Sequence, residues 1–164
     1  MHCDLVGMNA AAPAAAALFA GAGKNTDPDP APSPRQRITV FVVDNDPVLL
    51  TLIARSLTLS GYRVLEAERG SEALELARRH AGPIDLLLTD VMMPGMNGFE
   101  VAEVFGHLHP EAKVLYMSGH TGDIPSVRDA FEAHREMFLV KPFWFEALLE
   151  KIQSILPDSE PPRS

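Results

Sequence analysis

Four polar segments of the sequence carry side chains that could do chemistry, and each follows an apolar run. Carboxylates that lie close together repel, and they stay ionised together only when a cation neutralises them. A site built from oxygens favours Mg²⁺, which binds one or two carboxylates and bridges phosphate oxygens. The residue types therefore indicate phosphoryl chemistry. The side chains concerned are Asp44, Asn45, Asp46, Asp90, Ser118 and Lys141.

Asp90 is the candidate nucleophile of this set. A carboxylate can form an acyl phosphate, and phosphoryl transfer otherwise needs an in-line approach and stabilisation of the phosphoryl oxygens. Lys141 would supply positive charge and the Ser118 hydroxyl a hydrogen bond. A single acidic residue after a strand is as often a helix cap as a functional residue. The prediction therefore depends on all four segments meeting at one place.

The elements that must position these residues lie between residues 36 and 156. Short β-branched and apolar runs alternate there with segments of helical period. Helices are predicted to begin near Pro47, at an N-cap Ser71, near Asn97, near Thr121 and after Pro142. The first helix is expected to bury Leu49, Leu52, Ile53 and Leu57. The predicted strands are Ile38–Val43, Arg63–Ala67, Ile84–Thr89, Lys113–Met117 and Met137–Val140.

Five consecutive βα units predict an α/β fold with helices on both faces of a parallel sheet. We expect the flavodoxin-like (βα)5 arrangement, a doubly wound parallel five-stranded sheet with strand order 2-1-3-4-5. Ligands of such sheets bind outside the carboxyl ends of the strands, beside the point where the strand order reverses. The four polar segments all follow predicted strands, so they are expected to meet there.

The composition restricts the domain organisation and the partners. Residues 1–35 are rich in alanine and proline and are predicted to be a disordered leader, 36–156 the folded domain, and 157–164 a disordered tail. The net charge of −8 argues against nucleic-acid binding, because phosphate contacts need clustered basic residues. A single cysteine and no stretch long enough to span a bilayer lead us to expect a cytoplasmic protein without membrane contact.

Four blocks of the sequence resemble the signatures of two-component response-regulator receiver domains. The resemblance covers roughly residues 37–156, and the last two blocks are most similar to receivers attached to hybrid histidine kinases. The order and spacing of the blocks agree with the family as well. The blocks are Val42–Pro47, Leu87–Gly98, Tyr116–Gly119 and Phe138–Phe143.

The resemblance implies a role for each residue of the predicted site. Asp90 would be the phosphoacceptor and also a metal ligand, Asp44 a member of the acidic pair that binds Mg²⁺, and the backbone carbonyl of Met92 a further metal ligand. Ser118 and Lys141 would contact the phosphoryl group. Phe138 falls at the switch-aromatic position, where the ring turns inward when the hydroxyl moves toward the phosphoryl group. The Lys141-Pro142 bond is a candidate cis peptide.

Asn45 departs from the family pattern. The second member of the acidic pair usually gives a direct metal contact, and here an amide stands in its place. Its oxygen can still bind Mg²⁺ but lacks the full charge, so we predict weaker metal binding. Asp46 is expected to begin the helix at Pro47 and so to be unable to compensate.

The function implied is that of a free-standing, phosphorylation-dependent signalling switch rather than an enzyme, with at most self-catalysed phosphorylation and dephosphorylation. A histidine kinase or phosphotransfer protein would donate the phosphoryl group after docking on the first helix and adjoining loops. The output would be contact of an unknown target protein with the fourth helix, fifth strand and fifth helix.

Two alternatives remain open. Asn45 favours a receiver-like interaction module that no longer takes phosphate, whereas Asp90, Ser118 and Lys141 oppose it. The Asp-x-Asp at positions 44–46 also resembles phosphohydrolases of the haloacid dehalogenase type, in which Asp44 would be the nucleophile. That family continues with Gly-Thr where this chain has Pro47-Val48, and the reading leaves Asp90 without a role.

Overall fold

The computed structural model describes residues 38–119 and 124–156. The predicted leader 1–35, the predicted tail 157–164 and the expected helix start at Thr121 lie outside these ranges. Within them, five parallel strands form one sheet in the order β2-β1-β3-β4-β5, so the predicted flavodoxin-like order is confirmed. The strands are β1 Thr39–Val43, β2 Arg63–Ala67, β3 Leu86–Asp90, β4 Lys113–Ser118 and β5 Phe138–Val140.

Helices cover both faces of the sheet. α1 and α5 pack against one face, α2 and α3 against the other, and α4 packs beside β5. None of the helices among the described residues combines the length and apolarity that crossing a bilayer requires. The helices are α1 Pro47–Leu59, α2 Gly70–Arg79, α3 Gly98–Leu108, α4 Pro125–Ala133 and α5 Phe145–Ile155, with a short 3₁₀ turn at Arg135–Met137 before β5.

The central strands are buried on both sides because alternate side chains enter different cores. Val40 and Val42 of β1 pack with the α1 and α5 residues, whereas Phe41 and Val43 pack with α2 and α3. Successive side chains of a strand point to opposite faces, so a strand covered on both faces must be apolar throughout. This requirement explains the unbroken apolar runs that predict the strands.

The first helix differs from the sequence expectation in its buried face. Leu52 is 61% exposed, and Leu50 is buried instead, at 4% exposure. The buried positions Leu50, Ile53 and Leu57 follow the helical period with Ala54 between them. The expected inclusion of Leu52 was therefore wrong, because adjacent leucines allow more than one stripe and packing against α5 selects one of them.

Side chains cap two of three helix starts, and the sequence had indicated the one at Asp46. Asp46 caps α1 and accepts hydrogen bonds from the backbone N–H groups of Val48 and Leu49. Asn97 forms a reciprocal capping box with Glu100 at the start of α3. The prediction for Ser71 was wrong, since α2 already begins at Gly70 without a side-chain cap.

The early start of α2 follows from close packing. A Cβ at Gly70 would lie 2.6 Å from the Val101 side chain of α3. Only glycine lets the first turn of α2 approach α3 so closely, and the approach places the helix start one residue before the serine.

These caps predict a difference between two alanine substitutions. Asn97→Ala removes the side-chain oxygen that accepts from the N–H groups of Phe99 and Glu100, and it should lower the free energy of unfolding by about 1 kcal/mol. Ser71→Ala removes a side chain that caps nothing and should change it by less than about 0.5 kcal/mol. Urea unfolding of both variants measures the two values, and equal losses would contradict the assignment of the caps.

Candidate functional site

The register of the sheet brings the predicted polar residues to one edge. Val43 of β1 pairs with Thr89 of β3, and each is followed directly by an aspartate, Asp44 and Asp90. Further along the sheet, Asp90 pairs with Met117 of β4 and Ser118 with Val140 of β5. Lys141 follows β5, so all four segments end at the carboxyl edge, as the strand order requires.

Lys141 lies between the two carboxylates. Its Nζ atom is 2.6 Å from Oδ2 of Asp44 and 3.3 Å from Oδ1 of Asp90. Asp44 is 1% exposed and Asp90 6% exposed, so neither charge is well hydrated. The second oxygen of Asp44 accepts a hydrogen bond of 2.9 Å from the backbone N–H of Asp46. One ammonium group thus offsets the repulsion of two buried carboxylates.

Asn45 contacts the other oxygen of Asp90. In the amide orientation that satisfies its hydrogen bonds, Nδ2 donates to Oδ2 of Asp90 at 3.1 Å and to the backbone carbonyl of Met92 at 3.3 Å. Both acceptors belong to the predicted metal ligands. The amide therefore lies against the same oxygens that a cation would bind.

Gly98 is a residue of this region whose importance sequence reasoning missed. A Cβ at this position would lie 2.2 Å from the backbone oxygen of Asp90, and the Gly98 N–H donates to the carbonyl of Val91 at 3.0 Å. The Thr89 hydroxyl also donates to the Asp90 carbonyl, at 3.1 Å. The loop after β3 is therefore held against α3. The glycine within the Leu87–Gly98 block was the available signal.

Ser118 is fully buried at the end of β4. Its backbone carbonyl accepts a hydrogen bond of 2.9 Å from the N–H of Lys141, and the neighbouring Met117 carbonyl accepts one of 2.9 Å from Val91. These bonds tie the loops after β3 and β5 to the end of β4. The Lys141-Pro142 peptide bond is cis, as the sequence indicated.

Burial raises the pKa of Asp90 above its ordinary value. The positive charge of Lys141 acts in the opposite direction, and the negative charge of Asp44 adds to the effect of burial. The balance leaves the pKa raised, so in the metal-free protein one ammonium does not fully compensate the burial of this carboxylate.

The donor set fits a hard divalent cation. It contains the Asp44 and Asp90 carboxylates and the Met92 carbonyl, together with the Asn45 side-chain oxygen when the amide turns over, all of the oxygen type that Mg²⁺ prefers. Among residues 38–119 and 124–156, no three acidic, histidine or cysteine side chains form a metal-binding group. The site therefore offers two carboxylates and completes its ligands with uncharged oxygens.

Phe138 lies outside this group of polar residues. It begins β5 and is 4% exposed, with ring centroids of Tyr116 at 5.2 Å, Phe131 at 5.5 Å and Phe99 at 6.3 Å. We call these four rings the aromatic cluster. The predicted switch residue is thus already turned inward in the structure, where three rings surround it.

Asn45 connects the polar site to a small surface cleft. A cleft of about 360 Å³ is lined by Asn45, Glu68, Arg69 and Pro94. A larger open cavity of about 630 Å³ lies between α1, the edge strand β2 and α2, away from Lys141. Neither cavity is lined by Asp44, Asp90 or Lys141, so the contacts among these residues locate the chemistry, beside the smaller cleft that Asn45 lines.

Comparisons with known proteins agree with this geometry. The family described as the response regulator receiver domain matches residues 40–153. The chain is 35% identical over 118 residues to a cyclic di-GMP phosphodiesterase of Thermotoga maritima, covering 72% of this chain and 31% of that protein. It is 31% identical over 118 residues to the sensor kinase CckA of Brucella abortus, covering 72% of this chain and 12% of the kinase. The chain thus spans about a third or less of these two relatives.

A solved structure matches over nearly its full length. The crystal structure of the receiver domain from the hybrid histidine kinase CckA superposes with a TM-score of 0.60 at 32% sequence identity, covering 72% of this chain and 98% of that one. The part of the chain that the structure describes therefore corresponds to a complete domain of that kind.

The raised pKa of Asp90 predicts a pH-dependent effect of Asp90→Asn. A carboxyl whose pKa rises on folding destabilises the folded state above its ordinary pKa, increasingly as the pH rises toward the raised value. In a chelating buffer at neutral pH, Asp90→Asn should therefore be more stable than wild type. The gain should vanish at acidic pH, where both states are protonated.

Thermal unfolding from neutral to acidic pH measures this gain. Asp129→Asn is a suitable control, because Asp129 is an exposed residue of α4, and its substitution should change little at any pH. Lower stability of Asp90→Asn at neutral pH would contradict the assignment, since attraction to Lys141 would then outweigh the cost of burial.

Proposed function

The chain belongs to the response regulator receiver domain family, and we propose that Asp90 is its phosphoacceptor in a phosphorylation-dependent signalling switch. The observation that carries this proposal is the position of Lys141, whose Nζ atom contacts the carboxylates of both Asp44 and Asp90. An ammonium group that contacts both a buried nucleophile and a neighbouring carboxylate can stabilise the negative charge that develops during phosphoryl transfer.

The proposed reaction is attack of an Asp90 carboxylate oxygen on the phosphorus of a phosphohistidine. The new O–P bond forms as the N–P bond breaks, and the electron pair of that bond stays on the imidazole nitrogen, which takes a proton. Asp90 needs no general base, because its carboxylate already carries the attacking electron pair. Lys141 is placed to stabilise the phosphoryl oxygens, and the buried Ser118 hydroxyl lies at the end of the neighbouring strand.

Receiver domains generally bind Mg²⁺, and we propose that Asp44, Asn45, Asp90 and the Met92 carbonyl would hold it here. When bound, the metal neutralises negative charge on the carboxylates and the phosphoryl oxygens. The residues themselves bind and orient: Asp44 is fixed by the Asp46 N–H, and the Met92 carbonyl lies within reach of the Asn45 amide.

The family exchanges phosphoryl groups with histidine kinases or phosphotransfer proteins, and the start of α1 is the surface we propose for the donor. Val48 and Leu52 are 76% and 61% exposed on one side of α1, and Trp144 is 83% exposed at the start of α5. Exposed apolar residues beside a polar site are typical of docking surfaces. The proposed donor is therefore a protein rather than an enclosed small molecule.

We propose the face of α4, β5 and α5 for the downstream target, which the sequence does not name. Phe138 lies beneath this face in the aromatic cluster, while Val140 of β5 remains 44% exposed. Changes near Ser118 could reach Phe138 because Tyr116 lies on the same strand and pairs with it. The phosphodiesterase activity in the name of one relative belongs to that protein, and we propose a signalling role without a further enzymatic activity.

The proposal predicts a covalent phosphoryl group on Asp90. Full-length protein incubated with Mg²⁺ and acetyl phosphate should gain the mass of one phosphoryl group, and Asp90→Ala should gain none. Lys141→Ala should accept phosphate about 10²-fold more slowly, because the developing charge loses its stabilisation. Intact-protein mass spectrometry measures both effects.

The control is Asp129→Ala, which removes an exposed carboxylate from α4 and should leave the reaction unchanged. Wild-type protein that gains no mass even at high Mg²⁺ would refute the proposal and favour a receiver-like module that takes no phosphate. A phosphoryl group retained in Asp90→Ala but lost in Asp44→Asn would indicate the haloacid dehalogenase type of chemistry instead.

A further inference from the structure

Asn45 has two possible amide orientations, and the oxygens around it distinguish them. With the side-chain oxygen toward Asp90, it would face the Asp90 carboxylate and the Met92 carbonyl, so acceptors would meet with nothing between them. With Nδ2 on that side, the amide donates to Oδ2 of Asp90 at 3.1 Å and to the Met92 carbonyl at 3.3 Å. The first orientation is favourable only when a cation lies between the acceptors. In the second orientation the Nδ2 donor takes the place of that cation.

From this geometry we propose that Asn45 competes with the divalent cation as well as binding it weakly. In the metal-free protein its Nδ2 group donates hydrogen bonds to the same two oxygens that the cation must bind. Binding of the cation then requires the amide to turn over and both hydrogen bonds to break. The proposal rests on the function proposed above. It adds that Asn45 regulates how readily the site binds the metal.

The surrounding charges strengthen the competition. Lys141 contacts Oδ1 of Asp90 and Asn45 contacts Oδ2, so both oxygens of the phosphoacceptor have a donor without any metal. Asp44 is engaged as well, through Lys141 and the N–H of Asp46. A cation entering through the solvent-exposed cleft beside Asn45 must therefore displace existing contacts instead of filling an uncompensated acidic site.

Competition and simple loss of charge predict different Mg²⁺ affinities for the variant Asn45→Ala. If Asn45 were only a weak ligand, Asn45→Ala would remove that ligand and weaken Mg²⁺ binding. If the amide competes, Asn45→Ala also removes the two hydrogen bonds that the cation has to break. Hydrogen bonds to charged acceptors are stronger than those between neutral groups, so we expect their loss to compensate for the missing ligand.

The experiment is titration of the full chain with Mg²⁺ by isothermal calorimetry, together with thermal unfolding in a chelating buffer. Asn45→Ala should bind Mg²⁺ as tightly as wild type or up to about 10-fold more tightly, and Asn45→Asp at least about 10-fold more tightly. Without metal, both variants should unfold at lower temperature than wild type, because Asp90 loses a donor and in Asn45→Asp also gains a repelling charge.

Ser71→Ala is the matched control, because it shortens an exposed polar side chain in the first turn of α2 and should change neither measurement. Asn45→Ser is a second test, since its side chain is too short to bridge both acceptors and it should behave like alanine. Weaker Mg²⁺ binding by both Asn45→Ala and Asn45→Ser would overturn the proposal. Unchanged unfolding of both variants in chelator would overturn it as well.

The same samples separate this proposal from the proposed function. Treatment with acetyl phosphate at saturating Mg²⁺ reports on phosphorylation of Asp90 independently of the affinity series. Protein that takes phosphate while its alanine variant binds Mg²⁺ more weakly contradicts only the competition. Protein that never takes phosphate contradicts the function, and the affinity series still decides whether the amide opposes the cation.

Discussion

The structure of the site depends on one electrostatic constraint, which is that two buried carboxylates lie at one edge of a sheet with a single ammonium between them. Asp44 and Asp90 follow paired residues of neighbouring strands, so the backbone register alone forces them together. Lys141 reaches them from β5, two strands beyond β3. Its charge reduces their repulsion, yet burial still raises the pKa of Asp90.

The rest of the fold maintains this arrangement. Strands buried on both faces leave little freedom for their ends to move apart. The loops are held in addition by the approach of Gly98 to the Asp90 carbonyl and by the hydrogen bond from Lys141 to the Ser118 carbonyl. β4 also connects two regions, since it ends at Ser118 and carries Tyr116 of the aromatic cluster. One short strand therefore links the polar site, through Ser118, to the packing of Phe138, through Tyr116.

Asn45 shows how one substitution alters the electrostatics without altering the fold. An aspartate would place a third carboxylate next to Asp44 and Asp90, and the metal-free site would then depend strongly on a cation. An amide instead donates hydrogen bonds to the same oxygens. The proposed consequence is a more stable metal-free state and a weaker attraction for Mg²⁺.

The sequence by itself determined the strand order, the positions of four of the five strands to within a residue, the cap at Asp46 and the convergence of Asp90, Ser118 and Lys141. These follow from local patterns: apolar runs, a proline at a helix start, and polar residues after parallel strands. Tertiary structure decided which leucines of α1 are buried, that α2 begins at Gly70 instead of a capping Ser71, and that Phe138 is already enclosed. It also decided that Asn45 donates to Asp90. Each of these depends on atoms from elements distant in the chain, such as α3 against Gly70 or β3 beside Asn45, and a local pattern carries no information about such neighbours.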